Sequence, residues 1–388
     1  MMPTTLSLLP SFGFGDRLGL ATPGHIAAVR GTKFAPIFAQ QSARENTRTG
    51  RTPQQVMDDA KRAVDAAGWD APWGADADHL KTVQDLPAFV EAGYTFFTID
   101  PSAYVDNAAD TDSPSVLQEK AAMQNWNELS GLYLSQNDSQ SFGEFNAENL
   151  SRAVVKYGRA IQHIAGMYQR LSQMKETFDF EVSVDETDSP TTPLEHYFIA
   201  SELNRLGVRF TSLAPRFSGR FEKGVEYIGD LVALDAEMAQ HAAVMQHFGT
   251  YKLSLHSGSD KFSVYPLLRK HWGNRMHVKT SGTSYLEALR TLAETNPALF
   301  KQIWALALER YPADRASYLV SADVLKAPTE VDLPAYLDNF HAREILHVTF
   351  GSALTTFGTE IKAALVKHAD KYSENLKRHF NKHLDLLK

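Results

Sequence analysis

A chain of 388 residues that is 43% apolar and 22% charged is too hydrophobic for low-complexity disorder and long enough to bury a large core. Its net charge of −7 and scattered basic residues argue against a polyanion or an anionic membrane as main partner, so neither nucleic acid nor membrane is expected. The absence of cysteine removes disulfides, thiolate metal sites and cysteine nucleophiles together, and no uninterrupted run of roughly 18 apolar residues marks a membrane span.

Met1–Leu9 has no basic stretch ahead of its short apolar run and so does not resemble a signal peptide, which predicts a cytoplasmic location. Phe12–Leu20 is glycine-rich, but it has neither the GxGxxG nor the GxxxxGK[ST] spacing and no strand ahead of it. It reads as tight turns placing Asp16 or Arg17. From there short β-rich runs alternate with longer amphipathic stretches. The strand candidates are Phe34–Ala39, Trp73–Leu80, Tyr94–Ile99, Phe180–Val184, Val208–Leu213, Lys252–Leu255, His277–Lys279 and Ile345–Phe350. The helical stretches include Thr52–Ala67, Ala147–Thr177, Tyr227–Phe248 and Tyr285–Ala293. Thr52-Pro53 supplies a cap and a first-turn proline, and Gly68 a stop. Lys377, Arg378 and Lys382 read as the solvated face of a terminal helix.

This alternation implies parallel strands joined by crossover helices. Eight candidates favour closure into a (β/α)8 barrel of TIM type, with an open doubly wound sheet as the alternative. The expectation is a single barrel domain over residues 1–388 with two insertions, about 102–144 and about 297–337, long enough to form lids or subdomains over the mouth. Polar residues follow the apolar strand cores at Gln40–Glu45, Asp78–Lys81, Asp100–Ser102, Asp185–Thr187, Pro215–Phe217, His256–Asp260 and Lys279–Gly282, with His347 inside the last strand. In a barrel, strand C-termini converge on one catalytic mouth.

Strand alternation points Asp76, Asp78 and Leu80 one way and Ala77, His79 and Lys81 the other, but at a frayed strand end several of them can reach the mouth. Each histidine alone could be an ordinary loop or core residue. Two of them, His79 and His256, at the ends of different strands favour a metal, because neutral imidazole is a common transition-metal ligand. Such sites usually add a carboxylate, and Asp185, Glu186, Glu226 and Asp100 are candidates, with His347 as an alternative imidazole. Spacing does not rank them. Asp185-Glu186 ends a strand with two carboxylates that can ligate, bind a hydroxyl or donate a proton. Arg216 or Lys279 could grip a substrate carboxylate.

The segments Gly13–His25, Ala77–His79, Leu213–Phe217, Phe221–Asp230 and Leu255–Lys261, taken together, resemble the tagaturonate epimerase family from near residue 12 to about residue 350. The resemblance implies an isomerase that uses a divalent cation (Zn, Mn, Ni or Co) to interconvert tagaturonate and fructuronate or a closely related ketose. By motif it implies Asp78 as proton acceptor, Glu186 as acid and His79, Glu226 and His256 as metal ligands. Lys81, Asp185, Arg216, Lys279 and His347 are then expected around the sugar. The two sugar acids differ at the hydroxyl-bearing carbon β to the ketone, where enolisation cannot invert the centre, so retro-aldol chemistry is expected. Alternatives are another metal-dependent barrel isomerase, a class II aldolase or, more distantly, a non-catalytic sugar-binding protein. The partner is a small sugar acid or ketose; a homo-oligomer is left open.

Overall fold

Eight parallel strands pair in chain order and close on themselves: β1 (Ser11–Gly15), β2 (Ala35–Ser42), β3 (Gly74–Leu80), β4 (Phe96–Ile99), β5 (Asp179–Ser183), β6 (Ser212–Ala214), β7 (Lys252–Leu255) and β8 (Met276–Thr280). Helices follow the strands, so the computed structural model is a (β/α)8 barrel. It describes residues 1–135, 139, 141–329 and 333–388; the parts of the two expected insertions at 136–138, 140 and 330–332 lie outside the described residues.

Seven of the expected strands appear, β6 shorter than its candidate run. The eighth was misplaced. Ile345–Phe350 is not a strand: it spans the end of the helix Phe340–Val348 and the start of Phe350–Lys367. Residues 342 to 348 are all buried, and a short run rich in apolar residues does not by itself separate a strand from a buried helix. The missing stave is Ser11–Gly15, which pairs with both β2 and β8 and closes the barrel. Its glycines mark close approach rather than a turn: a β-carbon on Gly13 would lie 1.6 Å from Gln40 Oε1, and one on Gly15 2.7 Å from the Ser281 carbonyl oxygen.

Strand alternation divides the barrel into two environments. Outward residues such as Ala77, Phe97, Phe180, Val182, Leu253 and Val278 join the main hydrophobic core under the helices. A separate small cluster of Leu6, Ile37 and Phe96 forms an apolar plug. The inward face also carries polar side chains, among them Asp76, Thr98, Glu181, Ser212 and Lys279, every one buried. Buried polar groups need partners, and these find one another.

The expected caps form. Thr52 and Gln55 make a capping box for the helix Pro53–Ala66, and Gly68 adopts φ +57° beyond its end. The C-terminal helix Ala369–Leu387 packs on Thr22–Val29, where Gly24 leaves the space that Leu376 fills. In the first insertion the helices Pro114–Ala122 and Trp126–Tyr133 pack against the long helix Ala147–Met174. In the second, Pro297–Asp314 packs on Phe350–Lys367, and the stretch after it brings Tyr318 and Leu319 to the mouth. Among the described residues no helix is long and apolar enough to cross a membrane.

Candidate active site

Regular alternation would turn His79 away from Asp78. Instead His79 adopts φ +51°, and the β3–β4 register shifts between Ala77 and Leu80. A left-handed non-glycine residue costs about 1–3 kcal/mol and persists only where its surroundings hold it. The irregularity returns the imidazole to the mouth, where its ring centre lies 5.0 Å from that of His256. Ser257 (φ +52°) and Asp260 (φ +60°) strain the loop behind His256 in the same way. That loop is tied to the C-terminal side of the chain. Arg343 meets the Asp260 carboxylate at 2.8 Å, His379 meets it at 2.5 Å, and the Asp260 amide donates to His383 at 3.1 Å. Asp260, His379 and His383 form a second cluster with metal-ligand atom types, but their mutual bonds and Arg343 account for it as an anchor.

His79, Asp185 and His256 come together: each offers a ligand atom, and the three atoms lie within 4.8 Å of one another. His256 Nδ1 stands 3.2 Å from Asp185 Oδ1, while Nε2 stands 2.6 Å from Glu181 Oε1. Burial opposes charge on His79, yet Asp78, Asp100, Asp185 and Glu186 outweigh it and push its pKa up to about 10. For His256, burial is likewise overcome by Asp185 and Glu181, and the pKa rises. Burial would protonate Asp185, but the two imidazoles hold it well below the usual carboxylate range. Such a site attracts positive charge. His79 Nδ1 is also buried without a hydrogen-bond partner, 3.6 Å from Asp100 Oδ2. Two imidazoles and a carboxylate with an unpartnered ring nitrogen suit a divalent cation with open positions.

Not every expected residue joins them. Glu226 is exposed, and its carboxylate accepts bonds from the Ser263 amide and hydroxyl at 3.1 and 3.0 Å, so the structure brings Asp185 rather than Glu226 to the imidazoles. Lys279 is no free clamp for a substrate. Its Nζ is caged 2.7 Å from Asp76, 2.8 Å from Asp78 and 2.9 Å from Glu181. His347 lies on a helix, 1% exposed and packed on Gly282 and Gly224, with neither ring nitrogen partnered. Lys81 reaches Asp100 at 3.0 Å and Glu186 at 3.8 Å, so it sits at the rim beside the acid expected there.

The cage around Lys279 was missed in the sequence. Burial, together with repulsion from Asp78 and Glu181, raises Asp76 to about 7 despite the lysine. Burial disfavours the charge on Asp78, but Lys279, His79 and His256 hold it far below the usual range, hence ionised. The available signal was period-two polarity: Asp179, Glu181, Ser183 and Asp185 on β5 and just beyond it occupy alternate positions.

A cavity of about 640 Å³ opens beside His256, lined by Asp185, Glu186, Arg216, Lys223, Arg44 and Tyr318 among others. Arg220 in its wall is neutralised by Glu222 at 2.8 Å. Among the described residues Arg44, Arg216 and Lys223 have no carboxylate within ion-pair distance, and Arg216 Nε is buried without a partner. The cavity therefore has a cation-attracting end and an unneutralised cationic wall.

The model of the tagaturonate epimerase family matches residues 1–387. A tagaturonate/fructuronate epimerase of Thermotoga maritima is 43% identical over 403 residues, covering 100% of this chain and 82% of its own. The native crystal structure of the fructuronate-tagaturonate epimerase from Cohnella laeviribosi superposes with a TM-score of 0.96 at 39% identity, over 100% of this chain and 83% of that one. Its complex with one glycerol gives 0.95 at 39% identity, with the same coverage.

Proposed function

The chain belongs to the tagaturonate epimerase family, and on that premise we propose that it interconverts tagaturonate and fructuronate with the help of a divalent cation. The observation that carries the metal-dependent part is the convergence of His79, Asp185 and His256, three ligand atoms within 4.8 Å, beside ionised Asp78. The unneutralised Arg44, Arg216 and Lys223 along the same cavity support an anionic sugar over a neutral one.

His79, Asp185 and His256 would hold the cation, which would supply Lewis acidity for polarising the ketone. The rest is done by the chain. Asp78 is kept ionised by Lys279, the state a proton acceptor needs, and it takes the proton of the hydroxyl on the carbon β to the ketone. The bond between the α and β carbons breaks, its electron pair passing into the ketone half, and the β carbon becomes an aldehyde. The aldehyde turns over and is attacked again by the α carbon, which restores the bond with inverted configuration. Glu186, at the cavity rim 3.8 Å from Lys81, protonates the new alkoxide. Arg216 holds the substrate carboxylate while the halves are apart, with Lys81 at the rim.

The test uses protein stripped with EDTA and incubated with tagaturonate, fructuronate being resolved by chromatography. Turnover should vanish and return with Zn2+, Mn2+, Ni2+ or Co2+. Undiminished turnover in metal-free protein would exclude the metal-dependent reading.

A further inference from the structure

We propose that Glu181 is a positioning residue that fixes the His256 ring so that Nδ1, not Nε2, is the nitrogen offered to the cation. The proposal rests on the metal-dependent reading of the site, and adds the ligating atom and the group that selects it.

A neutral imidazole has one N–H donor and one lone pair, and the acceptor facing the ring decides which nitrogen carries the hydrogen. An ionised carboxylate accepts only. Glu181 is fully buried, and the Lys279 ammonium lies against its carboxylate. It is pinned from three strands. Ser212 Oγ on β6 donates to Oε2 at 2.6 Å, Lys279 Nζ on β8 lies 2.9 Å from Oε1, and Thr98 Oγ1 on β4, whose one hydrogen is shared with Asp76 at 2.9 Å, lies 3.2 Å from Oε1. Its 2.6 Å contact with His256 therefore requires the hydrogen on Nε2.

The lone pair is then left on Nδ1, which faces Asp185 Oδ1 at 3.2 Å. Two lone pairs at that distance repel unless a proton or a metal ion lies between them. Ser183 cannot supply the proton: its single hydroxyl hydrogen is engaged by Asp185, and it lies 3.5 Å from Nδ1. The ring is thus clamped between Glu181 below and Asp185 above, with His79 alongside. A carboxylate on the non-ligating nitrogen of a metal-bound histidine fixes its tautomer and strengthens it as a ligand, and losing it typically weakens metal binding roughly 10–100-fold.

The test uses the full-length protein labelled with 15N-histidine and loaded with 113Cd2+, alongside calorimetric titration of metal-free protein with Co2+. We expect His256 to show 113Cd coupling at Nδ1 and a retained hydrogen at Nε2. Glu181→Gln should bind Co2+ roughly 10–100-fold more weakly and lose the single-tautomer pattern. Ser212→Ala loosens Glu181 without touching the ligands and should weaken binding less, in the same direction; it serves as the test if Glu181→Gln does not fold. Coupling at Nε2, or unchanged affinity and tautomer in a folded variant, overturns the proposal and leaves the metal reading standing. A wild-type protein that binds no metal overturns both.

Discussion

Replacing Lys279 by Met is the most severe single test of the barrel interior. The ammonium lies 2.7 to 2.9 Å from three carboxylates, all of them buried. Each contact has a gross Coulomb attraction of about 6 kcal/mol at an effective dielectric constant near 20, much of it offset by desolvation. Removing one partner of a buried ion pair costs about 3–5 kcal/mol, since the remaining charge is stranded. Asp76, raised to about 7, is partly protonated at neutral pH and absorbs some of the loss, but Asp78 and Glu181 lose the strongest of the influences that keep them ionised. The Met variant should therefore lose at least about 3 kcal/mol in urea unfolding of metal-free protein at pH 7. Adding Asp76→Asn should return part of that, a coupling of about 0.5–3 kcal/mol, by removing one like charge. Turnover should fall as well, because Asp78 would lose its nearest cation and take up a proton more readily. A loss below about 1 kcal/mol, of the size seen for exposed ion pairs, would refute the cage as a structural and electrostatic unit.

Two further outcomes follow from buried contacts beside the site. Gly282→Ala places a β-carbon 1.8 Å from His347 Nε2, on a ring also packed on Gly224, and should lower stability by about 1–3 kcal/mol; truncating the ring as well, in Gly282→Ala/His347→Ala, should remove the clash penalty, which thermal unfolding of the single and double variants will show. Glu344 and Glu222 both receive the Ser321 amide, at 3.1 and 3.0 Å, and burial together with the hydrogen bond to Glu222 raises Glu344 to about 8. The folded pKa exceeds the unfolded one, so the folded state binds more protons, and this contribution to stability is complete below about 4.5 and is lost as pH rises through about 8. Glu344→Gln should flatten that part of the stability–pH curve measured by denaturant unfolding; an unchanged slope would show that the two carboxyls share no proton.

Much of the barrel was legible because period-two polarity and helical amphipathicity survive in the sequence, as in β3, β5 and the helix Pro53–Ala66. Two kinds of information were not. β1 and the helix Phe340–Val348 were exchanged because Ser11–Gly15 is a strand of alternating glycine and phenylalanine, and glycine looks like a turn until the Gln40 and Ser281 atoms that press on it are in view. The second kind is convergence. His79 reaches the mouth only through a left-handed backbone that no alternation rule supplies, and whether Asp185 or Glu226 meets the imidazoles depends on loop paths rather than spacing.

The geometry also explains why the site sits on such an extensively polar interior. In a (β/α)8 barrel, the side chains of one layer come from alternate strands. His79, Asp185 and His256 come from the ends of β3, β5 and β7, while Thr98, Ser212 and Lys279 come from β4, β6 and β8. Asp76 and Glu181, two and four positions ahead of Asp78 and Asp185, tie the two sets together through Lys279 and Ser212. An apolar layer at that level would leave the His256 Nε2 without its acceptor and Asp78 without its nearest cation. On the proposed reading the cage below the mouth supports the site, since its charge balance bears on which groups above it carry protons.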